Sequence, residues 1–149
     1  MALYYPPVGF HFKVEFERFP ANDKDIRFRE VAGLSVEIPV ENLTEGGENR
    51  FKYSLPGTPQ YPKLVLKRGL LNDSQIADWC KKAIEDFVFE VDNITVSLLN
   101  ENHEPLALWR IIGAYPCKWS VSDLNADQNA IVVESIEFAY QYFIYEKNP

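Results

Sequence analysis

The sequence predicts a mainly β fold, an antiparallel β-barrel or sandwich flanked by one α-helix. Three observations carry this. Stretches in which apolar and polar residues alternate recur along the chain, the mark of half-buried strands. One segment has an apolar stripe at helical spacing. Strand and helix patterns do not alternate, which argues against a parallel sheet of β-α-β units. Ten Phe and eight Tyr also favour strands. A chain of 149 residues fits a single domain, 1–149, and at that length about 68–70% of the unfolded surface can be buried without disulfides or metals.

The elements follow in order. Phe10, Phe12, Val14 and Phe16 alternate with His11, Lys13, Glu15 and Glu17, giving a strand with one apolar face. Residues 20–23 read as a turn. Residues 26–40 form a second strand region, interrupted at Gly33 by a bulge or sharp bend. The stretch 42–62 is polar and punctuated by Gly46, Gly47, Pro56, Gly57 and Pro59. It is long for a connection in a compact domain, and the alternation of Phe51, Tyr53 and Leu55 marks part of it as a strand or arm. Residues 64–69 are the next strand, ending in Gly69.

Ile76, Trp79, Cys80, Ala83, Ile84 and Phe87 make the helical stripe, with Asp73 or Ser74 as the cap and Asp78, Lys81, Lys82 and Glu85 on the wet side. Ile94, Val96 and Leu98 form a strand that turns through 100–105 into a partner over 106–114. The last strand is expected to be the longest, with Val132, Ile136, Phe138, Tyr140, Tyr142 and Ile144 on one face. The sum is six or seven strands and one helix.

The chemistry is sparse. Net charge is −7 with a pI near 4.8 and no basic run, which argues against nucleic-acid binding by counterion release. Cys80 and Cys117 stand apart and read as buried small hydrophobes in a reducing compartment. His11 lies on the polar face of a strand and His103 in a turn, neither with a ligand partner at metal-site spacing. Ser120 and Ser122 beside Asp123 have no histidine nearby in sequence, and no nucleophile motif appears. Gly46 and Gly47 lack a strand-to-helix setting, and Glu45 and Glu48 would repel phosphate. Asp86, Glu90 and Asp92 do not match a calcium loop and read as a solvated helix end. Trp79, Trp109 and Trp119 read as core residues first and interface anchors second. No secretion signal and no membrane-spanning run are expected. Catalytic, cofactor and metal residues are therefore not assigned, and the chain reads as a non-enzyme.

Seven segments carry a resemblance: PVGFHFKV at 7–14, FREVAGL at 28–34, KYSLPG at 52–57, LVLKRG at 64–69, AYPCKW at 114–119, DLNA at 123–126 and ESIE at 134–137. In that order and spacing, over nearly the whole chain, they resemble the tail tube family of contractile phages and of extracellular contractile injection systems, relatives of the type VI secretion ring proteins. The resemblance implies a small β-barrel or sandwich with one helix. It implies that six copies close into a ring and that rings stack into a hollow tube, which sheath contraction drives through a target envelope. The partners it implies are further copies, a sheath protein, baseplate or hub and tube-terminator proteins, and protein or DNA cargo in the lumen, with no membrane anchor. Assembly is expected in the cytoplasm, followed by residence in a phage tail or a released particle.

The resemblance further implies that the loop over 42–59 meets the adjacent ring. Its candidate interface residues are Leu43, Glu45, Gly46, Gly47, Phe51, Tyr53 and Leu55, with Leu43, Phe51, Tyr53 and Leu55 supplying apolar contacts; an ordinary covering loop is the alternative. Like-charged rings should stack better as salt screens them. Two other readings stay open: a tube-initiator or baseplate paralogue, and a small β-barrel that binds a ligand or flavin through convergent basic groups.

Overall fold

The computed structural model describes residues 11–18, 28–43, 53–70, 74–127 and 130–147, which hold nine strands and one helix. Seven of the strands form one folded sheet. Its first layer has the order β1-β6-β7-β9, built from β1 (His11–Phe16), β6 (Asp92–Leu99), the first part of β7 (Pro105–Val121) and β9 (Tyr142–Lys147). The second layer has the order β7-β8-β5-β2, with β8 (Val133–Ala139), β5 (Leu64–Gly69) and β2 (Glu30–Ala32). Every pairing is antiparallel. The layers face each other as in a sandwich and do not close into a barrel, which decides between the two architectures the sequence allowed.

The layers share β7. Residues 105–114 of this strand pair with β6, and Ala107 to Ile112 pair with β9 on the other side. From Tyr115 onward the same strand pairs with β8. The crossing point is Gly113, at φ +69. Its N–H donates to Asn93 Oδ1 at 3.1 Å, and a Cβ there would lie 3.0 Å from Gln141 Cδ. The positive φ and the crowding both select glycine.

Val14, Ile94, Val96 and Ile111 project from the first layer, and Leu64, Leu66, Ile136 and Phe138 from the second, all buried. Each such side chain stabilises the fold by about 1.5–3 kcal/mol relative to exposure. Phe16, Trp79 and Phe138 bind the layers to the helix, with ring centroids 6.1 Å apart for Phe16–Trp79, 5.5 Å for Trp79–Phe138 and 6.1 Å for Phe16–Phe138.

Helix α1 (Gln75–Glu85) begins at Ser74, whose Oγ accepts from Ala77 N–H at 3.3 Å. Ile76, Trp79, Cys80 and Ala83 are buried beneath it. The stripe ends there: Ile84 is exposed, and Phe87 lies past the helix at φ +54 with 81% of its surface open. The apolar spacing continued beyond the point where the backbone stops being helical.

Other expectations need correction. The second strand region contributes only β2 to the sheet before Gly33 turns the chain at φ +94. The strand at 94–98 ends in a register shift, so Leu99 is buried and Leu98 only half-buried. Its partner does not stop at Ala114 but runs to Val121, making β7 the longest strand at 17 residues. The supposed longest strand is broken at Tyr140–Gln141 into β8 and β9. After the break the parity flips, so Phe143 packs on the core while Tyr142 and Ile144 are exposed.

A separate two-stranded sheet, β3 (Val40–Leu43) with β4 (Tyr53–Pro56), is the arm foreseen in the polar stretch. The turn segment at 20–23 lies outside the described residues.

Candidate interaction surfaces

The outer faces of both layers carry ion pairs, with the exposed Tyr142 and Ile144 beside them on the first. Lys13–Glu15 (2.9 Å) and Arg110–Glu146 (3.9 Å) lie on the first, Lys67–Glu30 (3.9 Å) and Lys118–Glu137 (3.4 Å) on the second. Exposed pairs of this kind contribute about 0–1 kcal/mol each. They mark wet faces rather than hold the fold.

Among the described residues the first layer has two unpaired edges. Among the described residues no strand pairs with the outer side of β1 or of β9. Through three antiparallel steps the four strands alternate in direction, so β1 and β9 run opposite to each other. A second copy placed edge to edge would continue the antiparallel ladder.

The arm extends beyond β3 and β4. Glu37 and Gln60 exchange backbone bonds of 3.0 and 2.7 Å, and Gly57 N–H donates to Pro39 O at 2.7 Å. Val36, Ile38 and Val40 share one parity and are all exposed, as is Leu55. An extended two-stranded element with uncovered apolar side chains suits contact with another surface. Of the expected interface residues, Leu43 and Tyr53 pair opposite each other at the last described rung, and Leu55 faces Glu41. Glu45, Gly46, Gly47 and Phe51 lie outside the described residues. Sequence reasoning missed Val36, Ile38 and Val40. They fell within the strand region assigned to 26–40, to which no exposed face was given.

A second apolar strip follows α1. Phe87 packs edge-on against Phe89 with centroids 4.8 Å apart, and Phe89 against Tyr115 at 5.7 Å. Val88, Val91 and Ile84 are exposed beside them. Trp119, expected in the core, is 40% exposed. Cys117 is exposed rather than buried.

Among the described residues the interior holds a polar network. Glu134 is fully buried; its Oε2 accepts from Arg68 Nε at 3.1 Å and its Oε1 from Trp119 Nε1 at 2.7 Å. Arg68 also donates through Nη2 to the capping Ser74 Oγ at 2.6 Å, and its guanidinium lies 5.0 Å from the Phe28 ring centroid. Burial, and then the Glu134 charge, push the nearby Cys80 thiol up to about 12, so it remains a thiol at neutral pH. This network fastens α1 to the second layer.

Asp86 caps the end of α1 through its backbone N–H, which donates to Lys82 O, and Glu90 and Asp92 hold Arg18 and Trp79. Glu90 pairs with Arg18, Asp92 Oδ2 accepts from Arg18 N–H at 3.0 Å, and Glu90 O accepts from Trp79 Nε1 at 2.8 Å. His11 and His103, remote in sequence, come within 2.7 Å of each other. Among the described residues no three His, Cys, Asp or Glu cluster to hold a metal, and no helix is long and apolar enough to cross a membrane.

Residues 8–144 match the family model described as T4-like virus tail tube protein gp19. No curated protein matches the chain. Among solved structures, a chain of the anti-feeding prophage baseplate, 6-fold symmetrised, is 28% identical with a TM-score of 0.84, covering 99% of this chain and 98% of that one. A chain of the PVC extracellular contractile injection system, from its sheath-tube complex in the extended state, is 25% identical with a TM-score of 0.80, covering 97% and 94%. Hcp1 from Salmonella typhimurium shares the fold at 10% identity and a TM-score of 0.59, covering 94% and 87%.

Proposed function

The chain belongs to the T4-like tail tube protein family of contractile injection systems, and from that premise we propose that it is the ring subunit of an inner tube, six copies closing head to tail and rings stacking into a hollow conduit. The family is structural rather than enzymatic, which removes the flavin or ligand-binding barrel. The observation that carries the proposal is the pair of oppositely directed edges on the four-stranded layer, unpaired among the described residues. A head-to-tail contact closes by rotation into a ring. With an even number of strands per copy, every junction between copies is antiparallel. Barrels of about 16–18 strands already enclose water, so six copies of a four-stranded layer leave a wide lumen for protein or DNA cargo.

The arm reaches the adjacent ring through Val36, Ile38, Val40 and Leu55, together with the candidate residues Leu43, Glu45, Gly46, Gly47, Phe51 and Tyr53. Sheath, baseplate and terminator proteins are the external partners, following the sheath-tube, baseplate and cap assemblies that hold the similar chains. Subunits assemble in the cytoplasm and end in a phage tail or a released particle. Because each copy carries −7, stacking strengthens with added salt.

A second reading, a baseplate or initiator paralogue, is favoured by the likeness to a baseplate chain over almost its full length. Negative-stain electron microscopy at low and high concentration tests both. Hollow tubes support the main-tube subunit, and single six-fold rings that never lengthen support the initiator. Monomers at every concentration, with and without a baseplate nucleus, overturn the ring proposal. Deleting 44–49 should leave rings but abolish stacks, and tubes of normal length from that variant would remove the arm from the contact.

A further inference from the structure

The chain has two histidines, 92 positions apart. The fold sets His11 Nε2 2.7 Å from His103 Nδ1, with ring centroids 4.4 Å apart. Two ring nitrogens in this relation need something between them. One neutral imidazole can donate a proton to the other, or both lone pairs can point at a cation.

The backbone holds both rings independently of that bond. His11 opens β1 opposite Leu99. His103 sits in the β6–β7 turn at φ +61, its N–H donating to Asn100 O at 3.0 Å. Asn100 Oδ1 fastens the same turn by accepting from the N–H groups of Asn102 and Glu104, each at 2.9 Å. The two imidazoles are thus presented by a paired strand and a tightly bonded turn.

We propose that His11 and His103 form a two-imidazole site for a borderline divalent transition-metal ion such as Zn²⁺, Ni²⁺ or Cu²⁺. Around an ion with metal–nitrogen bonds of about 2.0–2.1 Å, ligand nitrogens stand about 2.9–3.4 Å apart, so the rings part by only a few tenths of an ångström. Imidazole suits these ions, whereas Mg²⁺ and Ca²⁺ prefer oxygen. No third side chain completes the set among the described residues, so water fills the remaining positions and the site is open. An occupied site ties the start of edge strand β1 to the β6–β7 turn. The inference stands on the pair alone and does not need the ring.

The test is calorimetric titration of the tag-free full chain with Zn²⁺ and Ni²⁺, beside His11→Gln and His103→Gln. One ion per chain is expected, with Ni²⁺ raising the melting temperature and Mg²⁺ leaving it unchanged. Each variant should lose at least tenfold in affinity while keeping its far-UV circular dichroism. Binding that survives in either variant at wild-type strength places the ion elsewhere, for instance at the exposed Cys117, and overturns the proposal. Absence of binding by the wild-type chain overturns it equally.

Discussion

Arg68 and Glu134 face each other on neighbouring strands β5 and β8, joined at 3.1 Å where both are shut off from solvent. A charge left alone in such a place is costly, while the intact pair roughly offsets its own desolvation. Glu134→Leu should therefore lower unfolding free energy by about 3–5 kcal/mol, and so should Arg68→Met. The double variant should lose less than either single one, because no orphan charge remains. Urea denaturation at one fixed low concentration reads this; additive losses in the double variant would contradict it.

Gly113 and Gly33 both have positive φ but differ in their neighbours. At Gly113 a Cβ meets the end of the flexible Gln141 side chain, so Gly113→Ala should cost about 1–2 kcal/mol, largely for the backbone conformation. At Gly33 it runs into the Lys63 carbonyl oxygen, which cannot move without shifting the start of β5. Gly33→Ala should cost more than Gly113→Ala, and thermal melts of the two variants rank them.

Cys80 is held as a thiol up to about 12 against an ordinary 9.0. The folded chain thus binds this proton more tightly than the unfolded chain does. The linked stability is present below pH 9 and is lost as pH rises from 9 towards 12. Denaturation at pH 8, 9.5 and 10.5 should show a fall that Cys80→Ala reduces. At pH 8, a thiol reagent should modify Cys117 quickly and Cys80 only after unfolding.

The Tyr140 hydroxyl is buried and has no hydrogen-bond partner among the described residues. Burial, and then Tyr61, push this phenol up to about 12. Removing an unsatisfied polar group recovers its desolvation cost, so Tyr140→Phe should leave stability unchanged or raise it by up to about 1–2 kcal/mol. A clear loss in a urea titration would point to a bonded hydroxyl.

Local periodicity was readable wherever chain and pattern ran in step. Residues 64–69 and the helix stripe through Ile76, Trp79, Cys80 and Ala83 are such places. It failed where one backbone torsion changed direction while the side-chain pattern continued, as at Phe87, Gly113 and the Tyr140–Gln141 break. Glu134 has the parity of the buried face, yet a lone acidic letter looks the same whether solvated or paired. Its partner Arg68 is 66 positions away, and the two histidines are 92 apart. Such pairings arise from the tertiary fold and leave no mark in local spacing. The arm was foreseen from glycine, proline and alternation, but its exposed stripe over 36–40 lay outside the stretch read as an arm.

The sharing of β7 has a mechanical consequence. A pull along this strand loads its ladders in both layers at once and in shear, so many backbone bonds must yield together instead of peeling singly. Sliding one layer over the other would require bending the strand at Gly113, where Asn93 Oδ1 accepts from Gly113 N–H and Gln141 N–H donates to Ile112 O. A subunit built this way is stiff along the strand and yields, if at all, at one glycine.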